Sequence, residues 1–470
     1  MPDTDIAVIG AGAAGLSIAG FAAALGLKVT LFERDRMGGE CLNTGCVPSK
    51  ALLACAKAAH AVRDGARFGV HAQDVTVDWD GMRAHLRRTI ADIAPNDSEA
   101  RFRGMGVEVV RASARFASPN SVAAGGRVWT FRRCVVAAGS APAIPQLPGL
   151  ASVPYLTNET IFDLETPPGH LLILGGGAIG LEMAQAHARL GCLVTLVEAS
   201  TIAAREEPEF TDILRDALRR DGVTVLESHE AVRLTASGDG VELLLSDGKR
   251  VSATHLLVAV GRAPRLAALD LAAANVRVTP AGVATDQSLR STSNRRVWAA
   301  GDVADPEGLG PRRFTHVCSQ HAALLARSVV FRLPAKLSYA ALPRVIYTDP
   351  ELAQVGMTAA EAEAAGHAVR TERWPLPEND RASAEGVRGG GVKLVADSRG
   401  RLIGAGVLAP NAGEMAGMFG LMIERRMKLS ALAGLVLPYP TLAEAAKRAA
   451  SSYYAPLVTG SFARKLAAFA

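Results

Sequence analysis

Apolar residues in this chain fall into short runs punctuated by glycine. Ile6-Ala7-Val8-Ile9 and Leu171-Leu172-Ile173-Leu174 each break directly into a glycine-rich stretch. Runs of this length bounded by glycine predict buried strands. Segments 5–34 and 170–199 align without a gap, with thirteen of thirty positions identical. Each predicts a strand, a glycine turn, a helix and a second strand that ends in an acid, Glu33 or Glu198. From about Lys336 the pattern changes. Strand-like runs at Val369–Leu376, Gly391–Ala396 and Arg401–Leu408 surround a turn at Asp397-Ser398-Arg399-Gly400, and helical patterns follow at Asn411–Lys428 and Thr441–Tyr453. That order predicts an antiparallel sheet with helices on one face, an α+β unit.

Ile6 to Leu27 carries no charge over 22 residues, long enough to imitate a membrane span. Its acidic flank (Asp3, Asp5), its glycine spacing and its run into Lys28-Val29-Thr30-Leu31-Phe32-Glu33 argue for a strand–turn–helix–strand unit and a cytoplasmic protein without membrane insertion. Composition agrees: 470 residues, 49% hydrophobic and 21% charged, describe a multi-domain globular chain. Six cysteines are too few for a disulfide scaffold at this length. The net charge of +5 is spread without a basic block, and aromatics are 5%, so no nucleic-acid footprint is predicted.

The glycines have distinct physical tasks. Gly10 and Gly175 allow a tight turn, Gly12 and Gly177 let the backbone approach a pyrophosphate, and Gly15 and Gly180 let the helix pack on the strand. The helix N-terminus then offers unpaired N–H groups to an anion. Two copies in full strand–turn–helix context predict two dinucleotide sites. A carboxylate at Glu198 favours a free ribose 2′-hydroxyl, so NADH is expected at the second site and NADPH less so.

After the first unit comes Gly38-Gly39-Glu40-Cys41-Leu42-Asn43-Thr44-Gly45-Cys46-Val47-Pro48-Ser49-Lys50. Two cysteines with four residues between them can bridge, and a helix N-terminus with Lys50 one turn on favours a reactive thiolate. These residues make the chain resemble the FAD-dependent pyridine nucleotide–disulfide oxidoreductases, which include dihydrolipoamide dehydrogenase, glutathione reductase and mercuric reductase. Val136-Ala137-Ala138-Gly139-Ser140, Val260-Gly261-Arg262, Ala300-Gly301-Asp302-Val303 and Tyr347-Thr348-Asp349-Pro350-Glu351 extend the likeness over the whole chain. Ala409–Glu414 and Tyr439-Pro440-Thr441 point to the mercuric-reductase-like branch.

The resemblance implies an α/β fold with two Rossmann-like domains for FAD and NAD and a C-terminal α+β dimerisation domain. The expected boundaries are 1–150 with 266–335 for FAD, 151–265 for NAD(P)H, and 336–470 for a homodimer interface. It implies FAD at Gly10, Gly12, Gly15, Glu33, Gly139, Ser140, Gly301 and Asp302. It implies NAD at Gly175, Gly177, Gly180, Glu198, Gly261 and Arg262. It also implies a redox-active Cys41–Cys46 disulfide, with Cys46 the charge-transfer thiol beside the flavin and Cys41 the interchange thiol. Lys50 is expected near the flavin, paired with Glu182.

Disulfide reductases of this family carry His-Pro-Thr-x-x-Glu near the C-terminus. Here the string is Tyr439-Pro440-Thr441-Leu442-Ala443-Glu444, and Tyr, with an ordinary pKa near 10, is a poor proton relay at neutrality. Glu444 reads either as a surviving catalytic partner or as the acid of a Thr441-x-x-Glu444 capping box. A soft metal ion takes thiolates as ligands and releases no thiolate that needs a proton. Yet no cysteine follows Cys318, so a vicinal pair in the tail is absent. The expectation is therefore an NADH-dependent flavoprotein reducing a metal ion, an oxidant or an unusual disulfide. The alternatives are a dihydrolipoamide dehydrogenase of a multienzyme complex and a catalytically idle redox-sensing flavoprotein. His316, Cys318 and His321 are expected to support a helix and hold no metal, because positions i and i+2 do not share a helix face. Cys55, Cys134 and Cys192 are expected as core thiols.

Overall fold

The computed structural model describes residues 1–460 with Arg464, Ala467 and Ala468; most of the tail string Ser461–Leu466 lies outside the described residues. The chain forms two compact units. The first comprises Met1–Gln146, Tyr155–Pro167 and Leu257–Leu337; the second comprises Leu147–Pro154, Pro168–Leu256 and Ser338–Ala470. Two stretches expected in the NAD(P)H segment, 155–167 and 257–265, thus fold with the first unit. Strand pairing explains both departures: Arg262–Pro264 pairs antiparallel with Ser140–Pro142, and the Val258 N–H donates to Leu156 O at 2.9 Å.

The first unit is built on a parallel sheet, with strands in the spatial order Glu108–Val110, Val29–Phe32, Thr4–Ile9, Arg127–Val136 and Val297–Ala299. Ile6, Ala7 and Val8 at its centre are fully buried, because a parallel sheet is covered on both faces. Ala13–Ala24 follows the first strand as a helix rich in small residues. The charge-free stretch Ile6–Leu27 is therefore strand, turn and helix, and among the described residues no helix is long and apolar enough to cross a membrane.

The second unit repeats the motif with strands His170–Leu174, Leu193–Glu198 and Val223–Glu227 in parallel. Its C-terminal portion is a five-stranded antiparallel sheet in the order Pro343–Ile346, Glu351–Gly356, Leu402–Ala409, Gly391–Asp397 and Val369–Pro375. Helices Ala412–Glu424 and Glu444–Thr459 contribute Phe419, Met422, Ala445 and Ala449 to the core over this sheet. The turn at Asp397–Gly400 forms as expected, with Gly400 at φ +72° and its N–H donating to Asp397 O at 2.9 Å. The expected helix from Thr441 starts instead at Glu444, with Ala443 at its N-cap.

Candidate active site

The two glycine turns are near copies in space. Gly10 and Gly175 adopt φ +105° and +109°, a region costly for other residues. A Cβ on Gly15 would lie 1.8 Å from Gly10 O, and one on Gly180 would lie 1.9 Å from Gly175 O. Neither helix Ala13–Ala24 nor helix Ala178–Arg189 has a side-chain cap. At the N-caps the backbone faces open space: nothing lies within 4 Å of a Cβ on Gly177, and only Gly39 Cα, at 3.8 Å, meets one on Gly12. Free N–H groups above an unobstructed backbone fit a pyrophosphate. Each closing acid bridges its own turn. Glu33 Oε2 accepts the Ala11 N–H at 2.7 Å, and Glu198 Oε2 accepts the Gly176 N–H at 2.7 Å. Their second oxygens accept from Asp35 N–H at 2.8 Å and Ser200 N–H at 2.9 Å.

The cysteines lie at adjoining helices of the first unit. Cys41 is within the short helix Gly39–Asn43, and Cys46 opens helix Cys46–Asp64 with Gly45 as N-cap. Gly38 N–H donates to Ala11 O at 2.9 Å, and Gly39 packs so closely on Gly12 that a Cβ would fall 2.7 Å from its Cα. The Cys41 helix is thereby held against the first glycine turn. Both cysteines are free thiols, Cys46 exposed and Cys41 half-buried. A hydrogen bond to Cys46, with burial second, holds the Cys41 thiol well above its ordinary range. Cys46 Sγ lies 3.2 Å from Thr315 Oγ1, and Thr315 opens helix Thr315–Leu325. Two helix N-termini therefore meet at Cys46, a setting that favours negative charge on its sulfur.

A polar network missed in the sequence runs beside this pair. Glu40, the neighbour of Cys41, pairs with Arg262 and accepts from Asn158 Nδ2 at 2.8 Å. Arg262 Nε donates to Ser140 Oγ at 2.8 Å, and Ser140 Oγ donates to Asp302 Oδ2 at 2.5 Å. Arg262, expected at the second dinucleotide site, thus contacts Ser140 and reaches Asp302 through it, both expected at the first, and the preceding Gly261 O accepts the Ala143 N–H at 2.9 Å. The cause is the strand pairing Arg262–Pro142, which aims the guanidinium at Ser140. Burial pushes the Glu40 carboxyl up, and Arg262 opposes the shift. The signal that could have exposed the network is Glu40, the one acid in the motif Gly38–Lys50.

Gly301, at φ +72°, starts the turn that presents Asp302. Its N–H donates to His321 Nδ1 at 3.0 Å, and a Cβ there would meet Cys318 Sγ at 3.1 Å. Accepting that bond fixes the neutral tautomer of His321, and burial lowers its pKa to about 4. His316 stacks on Phe314 instead. The three residues divide into a support for the Gly301 turn and a separate ring stack. Of the expected core thiols, Cys134 and Cys192 are buried and Cys55 is half-exposed.

In the second unit Glu182 is 5% exposed and accepts the Tyr347 N–H at 3.0 Å. Lys50 belongs to the first unit, in helix Cys46–Asp64. Tyr439 is 71% exposed, and its hydroxyl donates to Asp380 Oδ2 at 2.8 Å, a bond that raises its pKa. Only half of the expected capping box forms. Glu444 accepts the Thr441 N–H at 3.4 Å, but the Thr441 hydroxyl donates to Pro438 O at 3.0 Å and caps nothing.

Residues 4–324 match the pyridine nucleotide-disulphide oxidoreductase family, and residues 342–450 match its dimerisation domain. The chain belongs to this family. Its members are FAD-dependent and use pyridine nucleotides, and the chain has their fold of FAD and NAD domains with a C-terminal dimerisation domain. A mercuric reductase of Streptomyces lividans is 36% identical, covering 96% of each chain. A dihydrolipoyl dehydrogenase of Geobacillus stearothermophilus is 32% identical over 95% of this chain and 96% of its own. A solved Cu(II) complex of the HOCl-induced flavoprotein disulfide reductase RclA from Escherichia coli shares the fold, with TM-score 0.85 and 24% identity over 95% of this chain and 99% of its own. The chain is an oxidoreductase of this family.

Proposed function

We propose that the protein is an NADH-dependent, mercuric-reductase-like flavoprotein that reduces a soft metal ion through Cys41 and Cys46 as a cytoplasmic homodimer. Gly10, Gly12, Gly15, Glu33, Gly139, Ser140, Gly301 and Asp302 would hold FAD, and Gly175, Gly177, Gly180 and Glu198 would hold NADH. Bound FAD supplies the two-electron relay between nicotinamide and the cysteine pair. Arg262 and Glu40 orient Ser140 and the Cys41 helix, and Lys50 and Glu182 would be further positioning residues. The preference for NADH is supported by Glu198, whose two oxygens are fixed on N–H groups so that its negative charge stays at the turn and repels a 2′-phosphate.

The reading rests on a thiol pair poised for charge at Cys46 in a chain whose Tyr439 hydroxyl is tied to Asp380 and holds its proton more firmly than usual. A soft divalent ion binds both sulfurs as thiolates. Two electrons then leave the sulfurs as the S–S bond forms, the ion becomes neutral metal, and no proton donor is required. Reduction of a disulfide substrate would instead release a thiolate with no acid at position 439 to receive it. The mercuric reductase relative, alike over nearly its full length, supports the same choice. The second reading, dihydrolipoamide dehydrogenase, has its support in the 32% identical relative.

NADH oxidation by the FAD-loaded protein, with Hg(II) in excess thiol and with lipoamide in parallel, decides between them. Turnover with Hg(II) well above that with lipoamide is expected. Fast turnover with lipoamide and none with Hg(II) would replace the first reading by the second.

A further inference from the structure

The parallel sheet of the first unit has two ends. Its carboxyl end carries the glycine turn after Ile9 and the Gly301 turn after Ala299–Ala300. Its amino end, away from both, is basic. Strand register places Arg133 beside Ile6, and Cys134 beside Val297. Arg132, Arg133, Arg295 and Arg296 therefore gather where the strand Thr4–Ile9 begins, with Lys28 just before the strand Val29–Phe32. Arg133 lies within electrostatic reach of Arg132, Arg290 and Arg332, and burial together with their like charge lowers its pKa. The neighbouring acids are fewer than the cations. Asp5 pairs with Arg132 at 3.2 Å, Asp3 accepts from Thr130 N–H and hydroxyl at 2.8 and 2.6 Å, and Asp286 closes its own turn onto Ser288 and Arg290 N–H groups. An arginine cluster with too few counter-charges on the chain is complementary to an external anion.

The same end carries exposed apolar side chains. Phe331 is 53% exposed, Leu333 50%, Leu25 47% and Phe21 40%. Phe21 and Phe331 meet edge to face at 6.0 Å, Leu25 lies one helical turn beyond Phe21, and Leu333 follows Phe331 by two residues, its N–H donating to Arg327 O at 2.8 Å. Arg133 Nη1 donates to Val329 O at 2.7 Å, which ties the arginine cluster to this segment. Arg332, at φ +58°, stands between the two apolar residues.

We propose that this face docks the protein on an anionic lipid bilayer. Phe331, Leu333, Phe21 and Leu25 enter the boundary between headgroups and acyl chains, and the arginines around them bind lipid phosphates. The apolar quartet favours lipid over nucleic acid, which would offer the arginines phosphates but leave four apolar side chains in water. Docking by the amino end leaves the glycine turns at the other end of the sheet facing the aqueous phase.

Flotation of the FAD-loaded protein with vesicles tests this. Phosphatidylcholine vesicles with and without phosphatidylglycerol are compared, alongside duplex DNA. Binding to the anionic vesicles alone is expected, weakening as salt shortens the Debye length. The neutralising variant Arg332→Gln should lose about fivefold. Phe331→Ser with Leu333→Ser should lose about tenfold or more at unchanged charge, with flavin content and NADH-driven flavin bleaching retained as the check on folding. Equal binding to neutral vesicles, or none to anionic ones at low salt, overturns the proposal. Tight DNA binding with vesicle binding indifferent to the apolar substitutions overturns it in favour of a nucleic-acid surface.

Discussion

At the scale of single residues, the two closing acids serve the fold, and the proposed function gives each a ligand as well. Glu33 and Glu198 each hold one oxygen on an N–H of the glycine turn and the other on the N–H two residues after the acid, so both carboxylates are fixed in place. Glu198→Ala should therefore loosen the second turn and remove its negative charge together. The expected outcome is a fall in kcat/KM with NADH of about tenfold or more, and a smaller fall or a gain with NADPH, read from steady-state kinetics with both nucleotides. An unchanged preference would discard Glu198 as the selector. His321 gives a second residue-scale expectation. Its folded pKa of about 4 lies below the unfolded value near 6.5, so the unfolded chain binds more protons between them. Stability should fall as pH drops through that window, by about 1.4 kcal/mol per unit of depression. His321→Gln keeps an acceptor for the Gly301 N–H without the titration. Flavin release on heating should then depend less on pH between about 6.5 and 4 than in the parent protein. His187, buried in the second unit with a pKa also near 4, titrates in the same window and leaves a residual slope.

Elements were legible wherever local pattern and local chemistry coincide. The glycine repeat announced two strand–turn–helix–strand units because each task, tight turn, open backbone and close packing, falls on a neighbouring residue. The C-terminal strands were visible for the same reason. What stayed hidden depends on partners far along the chain. The contacts of Arg262 were not visible because its partners Glu40 and Ser140 lie 222 and 122 positions away. The helix expected from Thr441 begins late because Pro438, outside the capping pattern, takes the threonine hydroxyl. Lys393 is a third case. It sits in a strand whose residues are buried on both faces, 4% exposed, and its Nζ meets Glu207 Oε2 at 2.5 Å. Glu207, 2% exposed, also accepts the Ala359 N–H at 2.8 Å and so joins the helix Pro208–Arg220 to the C-terminal sheet. Lys393→Ala leaves that carboxylate buried and unpaired and should cost about 3–5 kcal/mol in denaturant unfolding, whereas Lys393→Met with Glu207→Leu should recover most of it. A loss below about 1 kcal/mol for Lys393→Ala would mean that water reaches Glu207 and the pair behaves as a surface bridge.

For the whole molecule the deciding question is what the cysteine pair gives its electrons to, and Tyr439 is where that question can be put. The family likeness implies that the C-terminal string of one protomer serves the site of its partner, and the homodimer is part of the proposed function. Tyr439 lies exposed, its hydroxyl held by Asp380 and its pKa raised by that bond. Between pH 6 and 8 it neither gives nor takes a proton readily. Tyr439→His places a group with an ordinary pKa near 6.5 at the same point, with Glu444 still five residues on. If the missing proton donor is what bars disulfide substrates, the variant should gain lipoamide-dependent NADH oxidation by about tenfold or more, within the range of a single general acid. Its pH–rate profile should acquire a limb near the histidine pKa, while Hg(II)-dependent turnover, which needs no proton, should change little. A gain in both activities would point to a general loosening of the string. No gain in lipoamide turnover, with the dimer intact by sedimentation, would mean that substrate choice is set before the acid is needed, at the binding of the acceptor to Cys41.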